Sequence, residues 1–383
     1  MTRRTFLASL AATFAPLRLQ TQRAKFATFT APSQNPAFAG ATLFVPMDDL
    51  PFSARLMLAL GWQQQIARFC PEAICQPWWT LNGCGLSAMT LADRWETLRD
   101  ALVNLWERAE WDVLTTHRAR QGAAWELLRW QRDPLQWLLW HARLVAMRQP
   151  LTELDDTKPL QITADRLRQW TQALPSRRPL LLLLTPQAKM SDEPVRLPPI
   201  ALRPSFVKSI AVPSPTPSLC HALWWTVTEK EPMAGMVLGQ LLGGGMGGLW
   251  LQQMRGEKPL AYHAFAGWQL TPVGGELFLF ASCLPDNLPA MRRQAQKLLA
   301  DVRQGRFSDQ DFQRAQRLAL LRYRQLLADP IEHGTTLTSW LLAGQRVRDW
   351  LSLPQRLPIL SPDTLRRFCQ RLPFTITEVI ASP

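Results

Sequence analysis

Tyrosine is scarce in this chain: two residues, against 17 tryptophans and 16 phenylalanines. The position of each tyrosine is therefore informative. Histidine is almost as sparse. His117, His141, His221, His263 and His333 stand far apart, and none pairs at i, i+4 with a carboxylate between them. That spacing excludes a helix-borne metal site, so no metal ligand is assigned to this chain. The six cysteines (Cys70, Cys75, Cys84, Cys220, Cys283 and Cys369) form no C-x-x-C pair. Zinc-knuckle and thioredoxin-like chemistry lack support, and isolated buried thiols are expected. A nucleophile-elbow G-x-S-x-G is missing too. No apolar run reaches the roughly 20 residues that cross a bilayer as a helix, so no stable membrane span is expected.

Acidic residues are in deficit, 30 against 43 Lys and Arg, giving a formal charge of +13. Such a surplus attracts acidic surfaces and peptides but says nothing about fold. The arginines are scattered along helix-like segments instead of being clustered among exposed aromatics. Solvated faces account for them, and no nucleic-acid partner is expected.

What is present is globular. Hydrophobic residues make up 47% of the 383 positions and charged residues 19%, a composition for about two domains. The N-terminus reads Thr2-Arg3-Arg4-Thr5-Phe6-Leu7 before a modest apolar run to Leu17. Paired arginines ahead of Phe-Leu resemble a twin-arginine export signal, which implies an exported or periplasmic protein with residues 1–23 as signal and leader.

The chain also repeats itself. The segment from Phe26 to Pro32-Ser33 parallels Val207 to Pro213-Ser214, and Pro51 parallels Pro232 at the same offset of 181 positions. Apolar strands follow in each half, Ala41 to Val45 and Ala222 to Val227. Asp133-Pro134 and Asp329-Pro330 each interrupt a helical run. Thr163-Ala-Asp165 and Ser361-Pro-Asp363 each open a helix that ends in Leu-Pro and leads to a strand, Leu180 to Leu184 or Phe374 to Ile380. Gly274-Gly275 marks a hairpin between strands Leu260 to Leu270 and Glu276 to Ser282. Gly305 stands at a helix end, and Ser308 with Asp311 makes a helix start. The order predicts an α+β fold of two homologous domains, each a mostly antiparallel sheet with helices packed on one side. The domains are expected at 24–185 and 204–383, joined by a proline-rich linker at 186–203.

The most specific stretch runs from Leu241 to Tyr262: a glycine loop with Gly243, Gly244 and Gly245, a short helix ending at Arg255, then Leu260-Ala261-Tyr262. A dinucleotide loop should follow a strand, whereas these glycines follow a helix, and no Lys-Ser/Thr succeeds them as a P-loop requires. The pattern of glycine loop, Arg, and Tyr seven residues later resembles the second domain of insulinase-like (pitrilysin-type, M16) metallopeptidases. The first domain shares the resemblance only through the internal repeat.

The resemblance implies that Arg255 and Tyr262 act together as hydrogen-bond donors to a peptide carbonyl or its oxyanion. Gly243, Gly244, Gly245 and His263 would border the peptide. Active members carry H-x-x-E-H on the first helix of domain 1, where zinc is held and water activated. The equivalent helix here, Ser53 to Phe69, contains no His, Asp or Glu. The expected protein is a non-catalytic subunit, inactive alone. It would pair with a homologous zinc-bearing chain, supplying Arg255 and Tyr262 in trans, with the zinc in the partner and a peptide as substrate. Two alternatives remain open: a non-enzymatic peptide-binding or scaffold protein of the same fold, and a hydrolase with an unrecognised site.

Overall fold

Strands β1 (Ala27–Pro32) and β2 (Phe38–Pro46) open the first sheet, joined by a turn that Ser33 ties by donating to the carbonyls of Asn35 and Phe38, both at 2.9 Å. The computed structural model of the protein describes residues 26–186, 188 and 209–383, apart from 48, 81, 175–176, 215, 217, 257–258 and 374. The expected leader, and the linker apart from residues 186 and 188, lie outside those residues.

Helix α1 (Phe52–Ile66) follows, then the hairpin β3 (Ile74–Thr80) and β4 (Gly83–Leu91), and helices α2 (Trp95–Arg108), α3 (Val113–Arg132), α4 (Pro134–Ala146) and α5 (Ala164–Ala173), closing with β5 (Leu180–Thr185). The second half repeats the plan. Strands β6 (Ser209–Pro213) and β7 (Cys220–Thr228) lead to α6 (Pro232–Gly243), the short α7 (Leu249–Met254), and the hairpin β8 (His263–Thr271) and β9 (Gly274–Cys283). Then come α8 (Leu288–Arg303), α9 (Asp309–Ala328), α10 (Pro330–Leu342), α11 (Val347–Leu351), α12 (Leu353–Arg356), α13 (Pro362–Gln370) and β10 (Thr377–Ser382).

The two sheets have the same strand order, β1-β5-β2-β4-β3 and β6-β10-β7-β9-β8. In each, the outermost pair is parallel and the remaining pairs antiparallel. The repeat extends to single hydrogen bonds. Ser214 donates to the carbonyls of Thr216 and Leu219, as Ser33 does to residues 181 positions earlier. Thr163 and Ser361 each accept from the third residue on, Arg166 N–H and Thr364 N–H, capping α5 and α13. Gly305 adopts φ +70°, which stops α8 with the N–H of Arg306 reaching back to the Asp301 carbonyl. Ser308 caps α9 by accepting from the Asp311 N–H at 3.0 Å.

The hairpin differs from expectation. Its loop is Pro272-Val273, with Thr271 paired to Gly274, so the glycines begin β9 and do not form the turn. Gly275 is required by packing, because a Cβ there would lie 2.3 Å from the indole of Trp268. Strand β8 also begins later than expected, at His263.

The Asp-Pro pairs define how the halves join. Asp133 ends α3 and caps α4, its carboxylate accepting from Leu135 N–H and Gln136 N–H. Asp329 caps α10 in the same way through Ile331 N–H and Glu332 N–H. Proline follows each cap at the first helical position, where its missing N–H costs nothing. Each capped helix then crosses to the other half. Helix α4 packs on β7 and β10, placing Leu138, Leu139, Ala142 and Ala146 against Leu223, Trp225, Phe280 and Val379. Helix α10 packs on β2, β4 and β5. It lies close there: a Cβ on Gly40 would meet Pro330 at 3.0 Å, and one on Gly334 would meet the Thr42 hydroxyl at 2.4 Å. Each sheet is thus covered on one face by its own helices and on the other by a helix from its twin. That explains why β5 is buried at every position and reads as an unbroken leucine run without alternation.

Polar bonds accompany the exchange. Thr42, Ser87 and Thr335 form a chain of hydroxyls at 2.9 and 2.8 Å between the first sheet and α10. Arg143 of α4 reaches the buried Glu276 of β9 with two nitrogens, at 2.9 and 2.8 Å. The same carboxylate oxygen also accepts from Gln269 at 3.1 Å. Arg143→Leu is expected to destabilise the fold by about 3–5 kcal/mol in urea denaturation, because it strands a buried carboxylate. Adding Glu276→Leu should recover much of that loss, and equal stability of single and double variants would contradict the assignment.

Candidate functional site

Helix α6 approaches the edge strand β8 along a stripe of glycines. A Cβ on Gly235 would lie 2.1 Å from the Trp268 indole, and one on Gly239 would lie 2.9 Å from the Trp268 backbone N. One turn on, a Cβ on Gly243 would sit 1.9 Å from the Ala266 carbonyl oxygen. Gly244 is buried against the Gln240 carbonyl. These glycines let helix and strand backbones touch, and Trp268 locks the contact by donating to the Thr228 hydroxyl at 3.0 Å. Gly245 differs: it has φ +63°, is exposed, and has open space where a side chain would point. Of the three loop glycines expected to border a peptide, Gly245 is exposed, Gly243 half-buried and Gly244 buried. Packing alone explains Gly243 and Gly244.

Beyond the loop, α7 ends at Met254 and the Leu260 N–H returns to the Met254 carbonyl at 3.0 Å, closing a small loop. Arg255 stands at one end of it and Tyr262 just past the other. Arg255 is exposed, and its guanidinium lies 3.9 Å from the sulfur of Met246, over the glycine loop. Tyr262 immediately precedes β8. Its N–H donates to the Ser282 carbonyl at 2.8 Å, while its side chain is 57% exposed. The other tyrosine, Tyr323, is buried on α9 against Trp350, and burial pushes its phenol well above the usual range. The two tyrosines therefore divide into one core residue and one solvent-facing donor.

His263 opens β8 and is exposed. Its ring stacks on Phe265 at 6.5 Å between centroids. Phe265 stacks on Phe280 at 6.3 Å, and Phe280 on His221 at 6.3 Å. The ladder runs from the edge strand into the sheet. His221 is buried at its inner end, with Ser282 and Thr216 hydroxyls on its two ring nitrogens. Burial, reinforced by nearby His263, pushes the His221 imidazole down to about 4. His333 of α10 is pushed down to about 4 by burial and accepts from the Trp350 indole N–H at 3.1 Å. Sequence reasoning missed this ladder, although the alternation of His263 and Phe265 was its visible signal.

The helix that corresponds to a zinc-motif helix does not suit a metal. Helix α1 is largely buried and offers no His, Cys, Asp or Glu over its length. Its N-terminus, which follows Pro51 and has no side-chain cap of its own, is served by Glu153, which accepts from the Ser53 N–H and hydroxyl, each at 3.1 Å. Buried Arg55 donates to the Met47 carbonyl at 3.2 Å. Among the described residues no group of three or more His, Cys, Asp or Glu is placed to hold a metal ion.

Residues 186–319 match the sequence family described as the Peptidase M16 inactive domain. Solved structures share the whole fold. A protease from Helicobacter pylori superposes with a TM-score of 0.74 at 13% identity, covering 94% of this chain and 98% of that one. A peptidase M16 inactive domain from Pseudomonas fluorescens gives 0.71 at 12% identity over 93% and 95%. The periplasmic protease PqqL from Escherichia coli gives 0.64 at 14% identity, with 92% of this chain matching 44% of that protein. No curated protein sequence matches the chain.

Two outcomes test this geometry. Gly243→Ala should lower stability by about 1–3 kcal/mol in chemical denaturation, since its methyl group has no room against the Ala266 carbonyl. Unchanged stability would contradict the packing role. The unfolded chain protonates its histidines near 6.5, whereas folded His221 and His333 remain neutral to about 4. Their contribution is therefore complete above pH 6.5 and is lost as pH falls toward 4, by about 3 kcal/mol per ring at the acid end. NMR titration of the ring protons checks it, and midpoints near 6.5 for both rings would refute it.

Proposed function

From the premise that the second half of this chain is an M16 peptidase domain of the inactive type, we propose that the protein is the supporting subunit of a two-chain metallopeptidase. The observation that carries this reading is the pairing of two exposed donors with a helix that has no zinc ligand. Arg255 and Tyr262 flank one hydrogen-bonded loop at the start of an edge strand, while α1 has no ligand for zinc. A guanidinium donates from several N–H groups in a fixed fork, and a phenol from one O–H. Directed at the same carbonyl, they would bind a peptide in the ground state. They would bind it more strongly once negative charge develops on that oxygen.

The metal would reside in a homologous chain carrying H-x-x-E-H and would supply the activated water there. This chain's part is to orient the scissile carbonyl and stabilise the oxyanion. The twin-arginine-like leader favours assembly of the pair outside the cytoplasm. The surplus of positive charge favours acidic or unfolded peptides.

Mixed with such a chain, the protein should create peptidase activity that neither possesses alone. Tyr262→Phe removes one hydroxyl and should lower turnover about 10²–10³-fold while leaving association of the two chains intact. Undiminished turnover in a complex containing Tyr262→Phe would refute the assigned role.

A further inference from the structure

Two thiols of the second sheet stand opposite each other. Cys220 opens β7 and Cys283 closes β9, and the antiparallel register pairs them directly. Opposed residues of such a ladder project on the same face, with Cα atoms about 4.5 or 5.5 Å apart according to the hydrogen-bonding pattern. A disulfide spans roughly 4.4–6.8 Å between Cα atoms, so either spacing accepts one without moving the backbone. Both thiols are buried, in the apolar cluster that also takes Ala222, Trp224, Leu279 and Ala281 of the same two strands. Burial, reinforced by nearby Cys220, pushes the Cys283 thiol up to about 12. The next rung is already joined on the other face, where a His221 ring nitrogen lies 2.7 Å from the Ser282 hydroxyl. Among the described residues no other rung opposes two cysteines: Cys75 faces Ala88, and Cys84 faces Val45 and Trp79. At the twin of this rung, 181 positions earlier on β2, Ala39 faces Thr90.

We propose that Cys220 and Cys283 are an oxidation site, closing to a cross-strand disulfide that ties β7 to β9 when the chain meets a disulfide oxidant. The step is thiol–disulfide exchange. Two S–H bonds break and one S–S bond forms, while the two protons and two electrons pass to the incoming disulfide, whose sulfurs leave as two thiols. Attack requires a thiolate, and a thiol held this far up supplies little of it while the strands are closed. Oxidation therefore takes place during folding or when the strand ends open, which costs less than opening the core. The product carries no charge, so its burial incurs no ionic penalty. The two cysteines stand 63 positions apart, and the bond acts chiefly by restraining that length of unfolded chain. It also pins the strand end at which the Ser282 carbonyl holds the Tyr262 N–H. Export, which the Arg3-Arg4 leader favours, would bring the chain to a compartment where disulfides persist. Neither thiol contributes to the supporting-subunit role, so the two proposals stand or fall separately.

The full chain is produced in cells with a reducing cytosol and in cells with an oxidising one, and the reduced protein is also held for a day with oxidised glutathione. Each sample is unfolded in urea with iodoacetamide and weighed by mass spectrometry. The reduced chain should carry six alkyl groups and the oxidised chain four. A protease map without reductant should show the peptides of Cys220 and Cys283 joined. The oxidised protein should melt about 5 °C above the same sample treated with dithiothreitol. Cys283→Ser from the oxidising cells should carry five alkyl groups and melt alike with and without dithiothreitol. Cys220→Ser provides the same comparison if that variant does not fold. Six alkyl groups after both routes of oxidation, a bridge between other cysteines, or a stable mixed disulfide with glutathione in place of the bridge would each overturn the proposal.

Discussion

The exchange of α4 and α10 between the two halves is the constraint on which the remaining structure depends. A sheet five strands wide has two faces, and each half supplies enough helices to cover only one. Left alone, the other face would expose Leu223, Trp225, Phe280 and Val379 in one half, and Phe44, Leu182 and Leu184 in the other. Burying an aliphatic side chain of this size contributes about 1.5–3 kcal/mol, so these faces cannot remain open to water. The Asp-Pro caps redirect the chain at the point where each helix must leave its own half.

Once both sheets are covered, the polar groups between them have to be satisfied. Glu276 is held by Arg143 and Gln269, and Ser87 by Thr42 and Thr335. Of these, Arg143–Glu276 and Ser87–Thr335 cross the join, so they fix the orientation of one half against the other. Arg255 and Tyr262 take no part in this join: both are exposed, at the two ends of the segment between α7 and β8. The site is thus positioned by packing that contains none of its chemistry.

Much of this was legible in the residues because it is local. Caps at Thr163, Ser308 and Ser361, the stop at Gly305 and the paired Pro-Ser turns depend on a few neighbouring atoms, so the repeat could be traced along the chain. The exchange was not legible. An apolar stripe such as Leu138, Leu139 and Ala142 is the same whether its helix lies on its own sheet or on the other. Glu276 could be noticed as a lone charge in an apolar strand, but its partner is 133 positions away. The start of β8 was placed too early because Leu260 and Ala261 are apolar. The glycine loop shows a different difficulty. Close backbone contact and contact with a peptide both demand glycine, and only the position of the Ala266 carbonyl separates Gly243 from Gly245. For Arg255 and Tyr262 the sequence supplied the spacing, and the fold adds their exposure and the closed loop between them.

The reciprocal helices carry a mechanical consequence. A protein whose halves merely touched across a linker could hinge there, parting to admit a peptide and closing over it. Here separation would tear α4 from one sheet and α10 from the other, break the Arg143–Glu276 pair, and wet both cores together. The chain must behave as one stiff shell, with no hinge at the join between its halves.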